Sequence, residues 1–162
     1  PYKQVVMLAE IFASLIATER NGWKLEIVGR GIDKEKLTDL SSENILLSDF
    51  MQPTELATYI KSKGAYVLPS TLEHWGVAVH EAVLAGLPII ASDGVKAAEV
   101  FLEHNRNGFS FQATSKDELK KSLTSLFSMT DVDLLTFAKH SVKLSQRITY
   151  KSWRDNLLKV LN

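Results

Sequence analysis

The sequence of 162 residues contains no cysteine. This absence excludes disulfide bridges and metal sites that are built from thiolates. It also fits a cytoplasmic compartment, where thiols stay reduced. We therefore expect a cytoplasmic protein that is stabilised by an ordinary hydrophobic core, and the length is sufficient for one domain with a core of its own.

An excess of charge of one sign is also lacking, because 19 lysine and arginine residues balance 19 aspartate and glutamate residues. This balance argues against a protein that binds nucleic acid through its overall field, so any phosphate site must be local. No apolar run approaches the roughly 18 residues of a membrane span. No signal peptide is visible and the chain begins at Pro1, so we expect a trimmed fragment whose true N-terminus is not observable.

The clearest pattern lies in residues 65–93, AYVLPSTLEHWGVAVHEAVLAGLPIIASD. It predicts a buried strand at 65–68, a helix at about 77–84 and a second buried strand at 89–92. Gly86 and Pro88 are typical of a helix end. Two apolar strands that bracket one helix indicate a right-handed βαβ crossover in a parallel sheet, and such sheets bind ligands at the carboxyl ends of their strands.

Polar groups gather at that end of the predicted unit. Glu73 lies just before the helix and Glu81 lies on it, eight positions later. Gly76 lets the backbone approach a ligand, and the free N–H groups of residues 75–78 open a helix whose N-terminus attracts phosphate. Carboxylates accept hydrogen bonds from the paired hydroxyls of a sugar or ribose. The pattern therefore complements a nucleoside diphosphate attached to a sugar, although spacing alone also allows two solvated glutamates.

The segment PSTLEHWGVAVHEAVLAGLPIIASD resembles the signature of the group 1 retaining glycosyltransferases of GT-B fold. In that signature Pro-Ser is followed by Glu, an aromatic residue and Gly, and then by a second Glu eight residues after the first. The resemblance implies that Glu81 binds the ribose hydroxyls of a nucleotide sugar and that Glu73 contacts the donor sugar. It also implies that the amides of Trp75, Gly76 and Val77 hold the sugar and the phosphate.

Other positions match the family more loosely. His74 stands where the family usually has Gly, and its imidazole either contacts the sugar or points away. The opening PYKQ resembles a family loop that makes Lys3 the partner of the donor diphosphate; a solvated lysine is the alternative. Gly29 and Gly31 match a Gly-x-Gly turn that lines the donor cleft. A pair of glycines usually follows the second strand of the unit, and here Gly94 is present while the second glycine is missing.

The order of the elements predicts an α/β fold, in which a Rossmann-like, doubly wound sheet of about five almost entirely parallel strands is flanked by helices. Predicted helices cover residues 4–18, 33–40, 53–62, 77–84, 115–127, 131–144 and 150–161, and predicted strands cover 24–28, 45–47, 65–68, 89–92 and 109–111. Ser115 and Glu118 form a predicted capping box. Trp153, Leu157 and Val160 share a packing face of the last helix. The resemblance makes residues 1–162 the C-terminal, donor-binding half of a GT-B fold whose N-terminal acceptor domain is absent.

The resemblance further implies transfer of a hexosyl group from a nucleoside diphosphate sugar to a glycan or lipid-linked acceptor, with retention at the anomeric carbon. Lys3 and Glu73 would be the catalytic residues, and the fragment alone would be inactive. Asp131 and Asp133 form an Asp-x-Asp pair only in a predicted surface helix start, so we expect no metal and no cofactor. The acceptor, and any peripheral membrane contact of the full-length protein, would involve the absent parts.

Three alternatives stay open, and one of them is a degenerate transferase that binds the donor but is inactive, because the second glycine is missing. A sugar-nucleotide epimerase of GT-B architecture would need acid and base carboxylates at the anomeric proton, and Glu73 could be one of them. A non-catalytic, flavodoxin-like interaction domain would need an acidic pocket after its first strand, which the sequence LEIVGRG does not offer.

Overall fold

The computed structural model of the protein describes residues 2–161, apart from the side chains of five residues in the last helix: Trp153, Asn156, Leu157, Val160 and Leu161. The helices are α1 Val5–Ser14, α2 Ala17–Arg20, α3 Lys34–Leu40, α4 Pro53–Ile60, α5 Val77–Leu84, α6 Lys96–Phe101, α7 Lys116–Phe127, α8 Asp131–Ser145 and α9 Tyr150–Leu161. The strands are β1 Leu25–Val28, β2 Ile45–Ser48, β3 Tyr66–Leu68, β4 Ile89–Ser92 and β5 Gly108–Phe111. The predicted packing of Trp153, Leu157 and Val160 lies outside the described residues.

The strands pair in parallel, in two hydrogen-bonded groups. β1 pairs with β2, and β3, β4 and β5 form a second group in that order. The prediction of five parallel strands is confirmed, but within residues 2–161 no ladder joins β1 to β3. Apolar contacts connect the groups instead, because Ile27 of β1 and Val67 of β3 pack against the same hydrophobic cluster.

The strand β4 shows that helices cover the sheet on both faces. Ile89, Ile90 and Ala91 are all fully buried. Ile90 packs into a cluster with α1 and α7, whereas Ile89 and Ala91 pack into a cluster with α5 and α6. Burial of successive side chains in opposite directions is the mark of a parallel strand between two helix layers. The predicted doubly wound α/β architecture is therefore confirmed.

The predicted helix over residues 4–18 is wrong, because the chain leaves the helical conformation at Leu15 and Ile16, where ψ is 134° and 164°. The N–H group of Ile16 instead donates to Oε2 of Glu19 at 2.9 Å, which starts the short helix α2. Apolar spacing alone cannot register this interruption, since the buried side chain of Leu15 continues the same face. The other predicted ends differ from the structure by one or two residues.

The predicted capping box of α7 forms only in half. The hydroxyl of Ser115 accepts the N–H of Glu118 at 3.2 Å. The carboxylate of Glu118 does not return to Ser115 but accepts the N–H of Gln112 at 2.7 Å. Glu118 therefore stabilises the turn that leads from β5 into the helix. In the described part of the chain, no helix has the length and apolar character needed to cross a membrane.

Candidate functional site

Three backbone hydrogen bonds, which we call the strap, join the loop after β3 to the loop after β4 and to the start of α6. The N–H of Glu73 donates to the carbonyl of Gly94 at 2.8 Å, and the N–H of Lys96 donates to the carbonyl of Glu73 at 3.2 Å. The N–H of Ala97 donates to the carbonyl of Trp75 at 2.7 Å. The strap fixes residues 73–75 at the carboxyl ends of the strands, where a parallel sheet binds its ligands.

Gly94 allows the two loops to approach this closely. A Cβ atom at this position would lie 2.7 Å from the carbonyl oxygen of Ser70, and the carbonyl oxygen of Thr71 is closer still. The glycine predicted to follow it is replaced by Val95, whose side chain is buried and packs against the hydrophobic cluster under α5. The missing glycine therefore corresponds to a core position and leaves the loop path intact.

The N-terminus of α5 opens directly after the strap. Gly76 occupies the left-handed region with φ 93° and precedes the helix. Among the described residues, the backbone N–H groups of residues 75–78 donate to no acceptor. Trp75, 38% exposed, makes an edge contact with Phe101, whereas His74 is exposed and Val77 is 62% exposed. The predicted set of open amides is present, and such a set attracts an anion.

Lys3 and Glu73 meet beside this helix end. The ammonium of Lys3 donates to Oε2 of Glu73, although 70 residues separate them in the chain. The residues on either side of Lys3 are anchored: the N–H of Thr71 donates to the carbonyl of Tyr2 at 2.7 Å. The side-chain amide of Gln4 donates to backbone carbonyls on two loops. The structure thus brings together two of the residues that the sequence singled out.

Glu81 lies on the exposed side of α5, and its carboxylate has no hydrogen bond or ion pair within the described residues. Burial raises the pKa of Tyr66, and the charges of Glu73 and Glu81 raise it further. The two carboxylates therefore act on the same phenol, although they do not touch each other. Sequence reasoning missed Tyr66, because a tyrosine at the start of a buried strand carries no signal beyond its packing.

The Gly29–Gly31 turn follows β1, as predicted. Gly29 has φ 136°, and a Cβ atom at Gly29 or at Gly31 would meet no other atom within 4 Å. The turn is therefore open. In the described part of the chain, no hydrogen bond or ion pair links it to Lys3, Glu73 or Glu81, so its predicted place in the donor cleft stays a prediction.

Three further residues shape the site, and the contacts of Gln4 and Asp93 were missed. Gln4 donates to the carbonyl of Pro69 at 3.0 Å and to that of Ala113 at 2.7 Å. Asp93 accepts the N–H of Ala113 at 2.9 Å, which ties the loop after β5 to the end of β4. Ser70 is fully buried, and its hydroxyl has no partner among the described residues. The partners in these hydrogen bonds lie 20 to 109 positions apart in the sequence, so no local pattern predicts the bonds.

A second polar cluster lies near the start of β5, at the opposite end of the strand. Glu103 accepts a hydrogen bond from Nε2 of His140 at 2.8 Å and another from Arg147. The bond from His140, followed by that from Arg147, lowers the pKa of Glu103. This cluster satisfies its own charges, whereas the amides before α5 are open. Within residues 2–161, no group of three or more histidines and carboxylates is arranged to hold a metal.

Comparison with known proteins agrees with this geometry. The family model described as glycosyl transferases group 1 matches residues 1–147. The chain belongs to the group 1 glycosyltransferase family. An uncharacterized glycosyltransferase of Haemophilus influenzae is 28% identical over 130 residues, which cover 78% of this glycosyltransferase chain and 36% of the relative.

Solved structures resemble this glycosyltransferase domain over its whole length. The crystal structure of TarM has a TM-score of 0.84 at 22% identity and covers 100% of this chain. Anabaena HepE in complex with UDP and glucose has a TM-score of 0.81 at 19% identity and covers 99% of it. The chain spans only 33% and 45% of those two proteins. At these identities the comparison shows the fold, and the predicted GT-B architecture is confirmed.

Proposed function

We propose that this glycosyltransferase domain binds a nucleoside diphosphate sugar and presents its glycosyl group for transfer with retention of configuration. The observation that carries the proposal is the meeting of Lys3 and Glu73 beside the open N-terminus of α5. One place thus offers a cation, a set of free amides and a carboxylate. That HepE was solved with UDP and glucose supports the same donor class.

Each group has a defined task in this proposal. The free amides of residues 75–78 and the ammonium of Lys3 hold the diphosphate, and they stabilise the negative charge that grows on it as the glycosidic bond breaks. Glu73 accepts hydrogen bonds from the hydroxyls of the sugar. Glu81, which is exposed and unpaired in the described structure, accepts those of the ribose. Lys3 leaves Glu73 for the phosphate when the donor arrives.

The acceptor belongs to the part of the enzyme beyond this domain. The chain spans 36% of its Haemophilus influenzae relative, so the remaining length can supply a second wall to the cleft. A glycan or a lipid-linked sugar is the proposed acceptor class, and a peripheral membrane contact would come from the same remaining part. Retention follows from the family resemblance and is tested by the anomeric configuration of the product.

The proposed function is tested by calorimetric titration with UDP, GDP and ADP, on the protein and on its Glu81→Ala variant. We expect one diphosphate to bind, and the variant to lose about tenfold or more in affinity, because a hydrogen bond to a charged acceptor contributes about 1.5–3 kcal/mol. The fold should be unaffected, since Glu81 is exposed. Glu55→Ala removes another exposed carboxylate, on α4, and is the matched control. Unchanged affinity in folded Glu81→Ala would refute the ribose assignment.

Neither the epimerase nor the interaction domain has a specific observation in its favour. An epimerase would need a carboxylate poised as an acid or base, whereas Glu73 is paired with Lys3 in the structure. A flavodoxin-like interaction domain would need acidic groups after its first strand, where β1 instead leads into the open Gly29–Gly31 turn. Product analysis separates the first alternative from a transferase, because an epimerase releases an epimeric nucleotide sugar and no free diphosphate.

A further inference from the structure

Gln4 has a backbone conformation that side chains rarely adopt. Its φ of 49° and ψ of 31° place it in the left-handed region, directly before α1. Glycine enters this region without steric cost, whereas a residue with a Cβ atom does so only when the surroundings hold it there. The sequence therefore keeps glutamine at a position where glycine would be the less strained choice.

The side chain of Gln4 explains why the conformation is kept. Its Nε2 donates both hydrogens, one to the carbonyl of Pro69 at 3.0 Å and one to the carbonyl of Ala113 at 2.7 Å. These carbonyls lie on the loops after β3 and after β5, so one amide joins α1 to two loops at the carboxyl ends of the sheet. Both bonds are partly buried, where a lost partner would leave the carbonyls unsatisfied.

Lys3 is enclosed by these anchors. On one side the carbonyl of Tyr2 accepts the N–H of Thr71, and on the other Gln4 contacts Pro69. The segment 69–71 thus holds both neighbours of Lys3 in register with the loop that carries Glu73. A backbone that is already fixed in the free protein adds no ordering cost when the ligand binds, so only the rotamer freedom of the Lys3 side chain is lost.

We propose that Gln4 is a positioning residue: its side-chain amide fixes the backbone of Lys3, so that the ammonium faces the diphosphate of the donor. This inference rests on the proposed function and adds a residue to it. Gln4 does not touch the ligand and acts through Lys3 alone.

The test is a double-mutant cycle, read by calorimetry with UDP, GDP and ADP on the 162-residue chain. Gln4→Gly keeps the left-handed backbone and removes both hydrogen bonds, and we expect it to weaken diphosphate binding about threefold to tenfold. Gln4→Glu keeps the side-chain shape but cannot donate, and its carboxylate repels the two carbonyl oxygens, so it should show at least the same loss. In a Lys3→Ala background, Gln4→Gly should have no further effect on affinity.

Asn21 provides a matched control, because it also lies in the left-handed region, with φ 47°, and donates through its side-chain amide to a backbone carbonyl, that of Phe127, at 2.7 Å. Asn21→Gly removes an equivalent bond at the end of α2 and should leave diphosphate affinity unchanged. If Asn21→Gly lost as much diphosphate affinity as Gln4→Gly, the inference would be overturned, because the loss would then reflect a general decrease in protein stability.

Two other results would overturn it: wild-type affinity in Gln4→Glu, or an undiminished effect of Gln4→Gly in the Lys3→Ala background. Hydrogen exchange gives a readout without ligand, since Gln4→Gly should speed exchange of the Thr71 amide, which donates to Tyr2. If no diphosphate binds the wild-type protein, the proposed function fails. Even then, faster exchange of the Thr71 amide in Gln4→Gly would show that Gln4 anchors the backbone beside Lys3. Unchanged slow exchange would refute this anchoring role as well.

Discussion

The carboxylate of Glu73 has a partner that depends on the state of the site. In the structure it accepts from Lys3, and its side chain is only 19% exposed, so the ion pair is partly shielded from solvent. In the donor complex we propose that Lys3 moves to the diphosphate and Glu73 accepts from the sugar. Before the donor binds, the ion pair thus holds both groups in position, and the ligand then separates them.

We expect Glu73→Gln to weaken binding of UDP-glucose about tenfold while changing that of UDP less than threefold, because the residue faces the sugar and contributes no bond to the nucleotide. Competitive titration with the two ligands measures the difference. Sugar transfer in the longer enzyme should fall at least as much as sugar binding.

Glu99→Gln is the control for this comparison. Glu99 is also paired with a lysine, Lys96 at 2.6 Å, and it is an exposed carboxylate on the helix after the strap. The Glu99→Gln substitution should leave the affinities for UDP-glucose and for UDP unchanged. Equal losses of UDP and UDP-glucose in Glu73→Gln would contradict the placement of Glu73 at the sugar.

Among the elements, the strap depends on the absence of a side chain at Gly94. Gly94→Ala would place a Cβ atom 2.7 Å from the carbonyl oxygen of Ser70, so the two loops must separate. We expect a loss of about 1–3 kcal/mol in the free energy of unfolding, measured in urea. Gly31→Ala should change it by less than about 0.5 kcal/mol, since no atom lies within 4 Å of its Cβ position. Equal stabilities of the two variants would show that the loops part without cost.

The contact between β1 and α4 should make stability depend on pH. Lys63 lies 2.6 Å from the carboxylate of Glu26, and Tyr59 donates to the same oxygen. The hydrogen bond from Lys63, followed by that from Tyr59, lowers the pKa of Glu26. Because the folded pKa lies below the unfolded value of about 4.3, the stabilisation is complete above that pH and is lost as the pH falls through the folded pKa.

Urea unfolding at a series of pH values from about 6 down to 3 tests this dependence. The midpoint of the wild-type protein should fall more steeply on acidification than that of Glu26→Gln, which carries no titrating group there. Glu55→Gln on α4 changes an exposed residue that makes no hydrogen bond or ion pair in the described chain, and it should keep the wild-type slope. A wild-type slope in Glu26→Gln would assign the acid sensitivity to other carboxylates.

The sequence predicts the elements whose signals are local. The strands at 65–68 and 89–92 and the helix at 77–84 follow from apolar runs and from Gly86 and Pro88, and all three are present. The break at Leu15 and Ile16 escapes prediction, because it depends on a hydrogen bond to Glu19 rather than on hydrophobic spacing. The two amide bonds of Gln4 also escape it, because their acceptors lie 65 and 109 positions away.

The candidate site likewise contains features that the sequence predicts and features that it does not. The pairing of Glu73 with the N-terminus of α5 could be predicted from the motif, since both belong to one continuous segment. The place of Lys3 in the site depended on a resemblance of four residues at the start of the chain. Its contact with Glu73 was not predicted and comes from the structure. The position of the Gly29–Gly31 turn relative to the ligand stays a prediction.

At the scale of the whole molecule, we propose that this domain supplies the donor side of a larger enzyme. The residues that we assign to the donor lie in the segments before α1 and after β3, at the carboxyl ends of the strands, and on α5. The chain spans 33% of TarM and 45% of HepE, so a protein of that size has more than half of its length left for an acceptor domain.

We expect the 162-residue chain to bind a donor nucleotide weakly and to transfer no sugar on its own. A transferase must exclude water from its donor, and closure between two domains achieves this. The assay compares the chain with the longer protein that we propose contains it, using one donor panel and a crude cell-envelope glycan as acceptor. Transfer by the short chain at a rate near that of the longer protein would show that these residues form a complete enzyme.

The strap is built from backbone groups alone, and this has a consequence for how donor preference can change. The bonds that hold Glu73 and Trp75 in place use the N–H and C=O groups of Glu73 and the C=O group of Trp75. The exposed side chains at Leu72 and His74 contribute nothing to that frame. Natural variation or a mutational library can therefore change the side chains at positions 72 and 74 without changing the path of the loop. The backbone bonds of the loop thus stay the same, while the side chains at positions 72 and 74 can be selected for a different donor.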